Sequence, residues 1–122
     1  MKINREAVGN RILGELRLRG AFGMANAIPR AILLDVINRE ARAFCEEDEW
    51  RKIKDFEFRE IYRFLPICSC EDGLYIPSSR EDLEAFRIYM RAKAIPLFER
   101  VKKVAEAYPE LIPDGGQMTL GI

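Results

Sequence analysis

The chain has 122 residues, of which 48% are hydrophobic and 33% charged, a size and balance that suit one soluble globular domain. No apolar run approaches the ~20 residues that a membrane-spanning helix needs, and residues 1–6 lack the apolar core of a secretory signal. We therefore expect a cytoplasmic protein that does not contact a membrane.

Residue types that serve catalysis and metal binding are scarce. The chain contains no histidine and three cysteines, Cys45, Cys68 and Cys70. An odd number of cysteines without an export signal favours reduced thiols, and a zinc site usually takes four Cys or His ligands. We find no Gly-rich phosphate loop and no nucleophile elbow. We therefore expect no metal, no cofactor and no enzymatic activity.

The formal net charge is zero, but the charges are separated along the chain. Residues 31–50 hold two basic side chains against six acidic ones, whereas residues 51–65 hold five basic side chains against three acidic ones. A local basic face can bind phosphate groups whatever the total charge. The alternative is that opposite charges pair with one another on a solvated surface.

The first predicted helix covers residues 4–19, with Asn4 as its N-cap and Gly20 as its stop signal. Apolar residues recur every four positions along it and predict its buried stripe: Val8, Ile12 and Leu16.

A second helix is predicted over residues 29–44, because Pro29 suits the first helical position. It carries the apolar residues Ile32, Leu33, Val36 and Ile37. The acidic run at 46–49 is unfavourable at a helix C-terminus, so we expect a loop there.

A third helix is predicted from Asp55, its expected cap, to about Phe64. Apolar residues fall at helical spacing on one side: Phe58, Ile61, Tyr62 and Leu65. Basic residues lie elsewhere on the helix and just before it: Arg51, Lys52, Lys54, Arg59 and Arg63. One short helix therefore combines an apolar side with a basic side, and these five residues are the predicted DNA-binding set.

A β-hairpin is predicted over residues 67–76, between Pro66 and Pro77. The Asp72-Gly73 pair between two short β-prone runs is the strongest local signal for a hairpin.

A long C-terminal helix follows over residues 78–108, opened by a capping box from Ser78 to Glu81. Its apolar seam consists of Leu83, Phe86, Met90, Ala94, Leu97, Val101, Val104 and Tyr108. Pro96 predicts a kink or break near Ala92. The seam either packs on the rest of the chain or forms a homodimer through residues 79–108.

The last residues, 109–122, are predicted to be a flexible tail with a Gly-rich linker at 113–116. The final hexapeptide resembles the motif with which bacterial proteins bind the sliding clamp. The resemblance assigns the contact to Gln117, Met118, Leu120 and Ile122. The alternative is an apolar tail that folds back on its own domain.

Three helices followed by a hairpin is the order of a winged helix-turn-helix. We therefore predict a mainly α (α+β) fold with a winged-helix domain at 1–77, a C-terminal helix at 78–108 and the tail. In this arrangement the third helix enters the major groove of DNA. The same order also occurs in modules that bind only protein, so fold alone does not give function.

About half of the chain resembles a family of phage and prophage winged-helix proteins. The segments with this resemblance are residues 58–61, 65–69, 72–77, 81–84 and 91–94. They correspond to a groove helix around an Arg-Glu pair, a Pro-Ile-Cys-Ser strand, a wing and a helix rich in Arg and Ala. The chain departs from the family in its long acidic link before the third helix and in Leu74, where an aromatic residue is usual. The resemblance implies a role near phage DNA replication or its control.

Three functional hypotheses follow. The first is a DNA-binding accessory protein of phage replication that also engages the host sliding clamp. The second is a dimeric transcriptional regulator, and the third is a module that binds a replication protein without touching DNA.

Overall fold

The computed structural model describes residues 3–45 and 51–111. It is mainly helical with one two-stranded antiparallel sheet, as predicted. The chain divides into two compact units, residues 1–86 and 87–122. The α-helices and strands in chain order are α1 (Arg5–Leu18), α2 (Arg30–Arg39), α3 (Ala41–Phe44), α4 (Asp55–Tyr62), β1 (Cys68–Cys70), β2 (Gly73–Tyr75) and α5 (Arg80–Ala107). Short 3₁₀ helices cover Met24–Asn26 and Pro109–Leu111, the latter within the segment predicted to be a flexible tail.

The helix α1 begins where the sequence predicts. The Asn4 side-chain oxygen accepts a hydrogen bond from the Ala7 N–H at 3.1 Å, which satisfies one of the unpaired donors of the first turn. The stripe of Val8, Ile12 and Leu16 is fully buried. The predicted first helix is therefore confirmed.

The predicted second helix is two helices, so that prediction is wrong in its extent. At Glu40 the backbone leaves the helical region (φ −109°, ψ 16°), and the carboxylate accepts two hydrogen bonds from the Arg11 guanidinium, at 2.9 and 3.2 Å. The redirected chain buries Phe44 at the end of α3. Of the apolar residues on α2, Leu33 and Ile37 are buried, whereas Ile32 is 43% exposed.

The predicted hairpin is confirmed, with Cys68 opposite Tyr75 and a two-residue loop at 71–72. The segment before α2 joins it, because Ile28 and Leu74 exchange two backbone hydrogen bonds, each of 2.9 Å. Gly73 has φ +136°, and a Cβ there would lie far inside the van der Waals distance of the Ile28 carbonyl. Only glycine fits this close approach.

The helix α5 is capped one residue later than predicted. Instead of a box between Ser78 and Glu81, the Ser79 hydroxyl accepts from the Asp82 N–H at 3.2 Å. The Asp82 carboxylate in turn accepts from the N–H and hydroxyl of Ser78, both at 3.0 Å, and from the Met24 N–H at 3.2 Å. These hydrogen bonds fix the first turn of α5 to the loop before α2.

Of the kink or break predicted near Ala92, the break is absent, since α5 continues through Pro96 to Ala107. Proline supplies no N–H to the Ala92 carbonyl, but good helix formers flank it on both sides. In the described part of the chain, no helix is both long and apolar enough to cross a membrane.

One hydrophobic core joins α1, α2, α4 and the hairpin. Its members include Val8, Ile12, Leu16, Leu33, Ile37, Phe44, Ile53, Phe58, Ile61 and Leu74. This core fixes which side of α4 faces outward.

Candidate nucleic-acid interface

The segment that leads into α4 is held by Asn38 on α2. The Asn38 side-chain oxygen accepts from the Ile53 N–H at 2.7 Å, and its amide donates to the Ile53 carbonyl at 3.2 Å. Ile53 is itself buried in the core. The start of α4 is therefore fixed by a side chain that satisfies both backbone groups of one residue.

The cap of α4 differs from the prediction, because Asp55 is the first helical residue and Lys54 occupies the N-cap position. The Glu57 carboxylate accepts from the Lys54 N–H at 3.2 Å, as the third residue of a capping box does. The carboxylate of Asp55 is instead paired with two arginines, Arg30 at 3.3 Å and Arg59 at 3.6 Å.

Arg51 is held by a bidentate pair with Glu57. Its two terminal nitrogens lie 2.6 and 2.7 Å from the two carboxylate oxygens, and the arginine side chain is only 31% exposed. The hydrogen bonds from Arg51 lower the pKa of Glu57, and those to Glu57 raise the pKa of Arg51. Arg51, predicted as a DNA contact, is thus engaged in fixing the first turn of α4.

The helix α4 has an apolar side and a charged side. Phe58 and Ile61 are buried, and the Phe58 ring packs edge-on against Tyr62 with centroids 5.4 Å apart. On the opposite side, Arg59 and Arg63 are each 56% exposed. The predicted amphipathic character of this helix is confirmed, but its outward side is of mixed charge and not purely basic, because Asp55 and Glu60 pair with the two arginines.

Each exposed arginine of α4 contacts a carboxylate of its own helix. Arg59 lies 3.6 Å from Asp55, and Arg63 lies 2.8 Å from Glu60. Exposed pairs of this kind contribute about 0–1 kcal/mol, so a phosphate can replace the carboxylate at little cost. The pairs limit the positive potential of the free surface but leave both guanidiniums accessible.

The two predicted lysines precede the helix. Lys52 and Lys54 are exposed, and within residues 3–45 and 51–111 neither forms an ion pair. Four of the five predicted basic residues therefore present accessible charge on or just before α4.

Two exposed phenylalanines on this segment were not among the predicted site residues. Phe56 is 63% exposed in the first turn of α4, and Phe64 is 77% exposed just after its last turn. Helical spacing could have placed Phe56 on the side of Arg59 and Arg63, three and seven positions later. The Phe64 ring carries the Arg63 guanidinium 5.4 Å above its centroid.

A shallow groove of about 320 Å³ runs between α1 and α4 and opens to solvent. Apolar atoms of Gly9, Ile61 and Leu65 contribute to its lining, and a Cβ on Gly9 would lie 3.1 Å from a Leu65 methyl. The remaining lining residues are Arg5, Glu6, Asn10, Glu60 and Phe64.

The hairpin tip is acidic, since Glu71 and Asp72 form its loop and are exposed. Behind it, Tyr75 is fully buried, and burial raises its pKa to about 12. Burial also raises the pKa of the Cys68 thiol. These groups pack the hairpin, and the tip itself does not suit a phosphate contact. Among the described residues, no group of three Cys, Asp or Glu is placed to hold a metal ion.

The helix α5 buries none of its side chains fully. Four apolar residues seven positions apart are between 44% and 64% exposed: Leu83, Met90, Leu97 and Val104. The predicted clamp-binding residues, Gln117, Met118, Leu120 and Ile122, lie outside the described residues.

Comparisons with protein families, with curated proteins and with solved structures returned no match.

Proposed function

We propose that this chain is a winged-helix protein that binds duplex DNA through α4. In this proposal α4 enters the major groove, and four basic residues contact phosphates along its walls: Lys52, Lys54, Arg59 and Arg63. The resemblance to phage proteins favours a role in phage DNA replication, and the C-terminal hexapeptide favours a contact with the host sliding clamp.

The arrangement of elements supports a winged-helix fold. The helices α1, α2 and α4 share one core, and the hairpin follows α4 after a short turn. The exchange of hydrogen bonds between Ile28 and Leu74 adds the segment before α2 to the hairpin as a third, minimal strand. The short α3 lengthens the connection between α2 and α4.

The amphipathic character of α4 is the observation that carries the proposal. Its apolar side is committed to the core through Phe58 and Ile61, so the side with Arg59 and Arg63 must face outward. Guanidiniums on such a side match the phosphates and base edges of a groove. Arg51 is left out of the contact set, since its bidentate pair with Glu57 positions the helix instead.

Salt-dependent binding to a fluorescently labelled duplex tests the proposal. Four phosphate contacts give a slope of log affinity against log salt of roughly −3.6, which is a fall of ~150-fold between about 50 and about 200 mM. The double variant Arg59→Ala, Arg63→Ala should reduce the slope to roughly −1.8 and the fall to ~12-fold.

The matched control is Arg39→Ala. Arg39 on α2 pairs with Asp35 four positions earlier, at 2.6 Å, as Arg59 pairs with Asp55, and it is 75% exposed. It should leave the slope unchanged. An equal reduction of the salt slope in Arg39→Ala, or no reduction in the double variant, would contradict docking through α4.

A dimeric regulator is a second candidate, favoured by the exposed residues of α5. Leu83, Met90, Leu97 and Val104 repeat every seven positions, the spacing of a helix–helix seam. Two copies joined through this seam would protect a two-fold symmetric DNA site in footprinting. Light scattering that gives one chain per particle, both free and on DNA, would rule this candidate out.

A further inference from the structure

The exposed aromatic side chain of Phe56 has no role in the core. Its ring is 63% exposed, although it belongs to a helix whose apolar side is already filled by Phe58 and Ile61. A single exposed apolar residue is ordinary by itself. What distinguishes Phe56 is its surroundings, because Arg59 and Arg63 follow it on the same side of α4.

Asp55 and Glu60 pair with these arginines, but the exposed Lys52 and Lys54 leave the segment with an excess of positive charge. An apolar group in such surroundings matches a partner with an apolar spot between anions. The major groove of a duplex offers this combination wherever thymine occurs, since the thymine methyl projects into the groove between two rows of phosphates. Phenylalanine is among the side chains that contact this methyl. Charge complementarity therefore favours duplex DNA over an apolar protein surface as the occupant.

The position of Phe56 along α4 fits the same partner. It is the second residue of the helix, and a groove helix places its N-terminal residues against the base edges. Phosphate contacts fix orientation but contain no sequence information. A preference for base sequence requires contacts with base edges or a sequence-dependent duplex shape, and Phe56 is placed to make one such contact.

We infer that Phe56 contacts thymine methyl groups in the major groove and gives the protein a preference for thymine-containing duplexes. This inference rests on the proposed DNA binding by α4. It adds a specificity-determining residue to the surface that contains the proposed phosphate contacts.

The test replaces thymine by uracil, which removes only the methyl group. Affinities are measured for an alternating A·T duplex and for the same duplex with uracil in every thymine position. Each methyl buried against Phe56 should make the thymine duplex bind about 4-fold more tightly. Phe56→Ala should abolish the difference while keeping the salt slope of the native chain.

Phe64→Ala is the matched control, because Phe64 is also exposed but lies past the end of α4, under the Arg63 guanidinium. It should keep the thymine preference. A G·C duplex with 5-methylcytosine, whose methyl lies at the same groove position, should bind native protein more tightly than its unmethylated form.

The outcomes separate the inference from the proposal beneath it. Equal, salt-dependent binding of the thymine and uracil duplexes by the native chain would overturn the inference and leave DNA binding intact. A preference that survives Phe56→Ala would also overturn it. Absence of salt-dependent binding to either duplex would overturn both, and would leave the exposed phenylalanines to a protein partner.

Discussion

Replacement of Gly73 by alanine tests the packing of the hairpin against the segment before α2. The added Cβ would meet backbone atoms, the Ile28 carbonyl and the Pro29 Cα at 2.8 Å, which cannot rotate away. The strand must therefore separate from Ile28, and the two hydrogen bonds between Ile28 and Leu74 are lost. Two such bonds contribute about 1 kcal/mol each, and alanine at φ +136° adds about 1–3 kcal/mol of backbone strain.

We therefore expect Gly73→Ala to lower the free energy of unfolding by roughly 3–5 kcal/mol, a large part of the ~10 kcal/mol typical of a domain this size. Urea unfolding followed by circular dichroism gives the value, provided that the denaturant slope is unchanged. The folded fraction of Gly73→Ala should bind DNA with the affinity of the native chain, so any loss of binding should equal the fraction of unfolded protein.

Two other glycines separate steric from conformational effects. Gly20 has φ +66° but open space around it, so Gly20→Ala should cost only about 1 kcal/mol. Gly14 lies within α1 with nothing nearby, so Gly14→Ala should stabilise by about 1 kcal/mol. If Gly73→Ala lowers the free energy of unfolding no more than Gly20→Ala does, then Gly73 does not lie as close to Ile28 as described.

Two further predictions concern other parts of the chain. The buried Glu15 accepts hydrogen bonds from Arg19 at 2.7 Å and from Arg11 at 2.6 Å, and these bonds lower its pKa in the folded state. The contribution of Glu15 to stability is therefore complete above the unfolded-state pKa of about 4.3, and it is lost as the pH falls through the lower folded-state pKa. The difference in urea midpoint between the native chain and Glu15→Gln should therefore shrink below about pH 4, and a constant difference would contradict the pairing. Deletion of residues 117–122 should abolish retention by an immobilised bacterial sliding clamp and leave duplex binding unchanged; retention of the shortened chain would refute the clamp-binding motif.

Local signals in the sequence were sufficient for several elements. The cap at Asn4, the four-residue stripe of α1 and the hairpin at Gly73 depend on neighbours within a few positions. A contact between distant residues explains one error. The helix predicted over 29–44 ends at Arg39 where Arg11 binds Glu40, 29 positions away in sequence.

In the candidate site, too, features set by neighbouring residues were predictable from the sequence, and features set by the path of the chain were not. The amphipathic character of α4 follows from helical spacing, and so do the Asp55–Arg59 and Glu60–Arg63 pairs, which stand four and three positions apart. The pairing of both arginines was therefore predictable from their spacing in the sequence. The role of Arg51 was not available, because it depends on the turn that brings Arg51 back to Glu57.

The affinity of Glu60→Gln for duplex DNA tests the central claim most directly. The Glu60 carboxylate pairs with the Arg63 guanidinium at 2.8 Å. A neutral amide at this position should leave Arg63 available to a phosphate and tighten DNA binding by about two- to fivefold. The control Glu110→Gln removes an equal charge from an exposed residue outside α4 and should have no effect. Tighter binding by Glu60→Gln alone is the predicted result; unchanged or weaker binding would mean that DNA does not contact this side of α4.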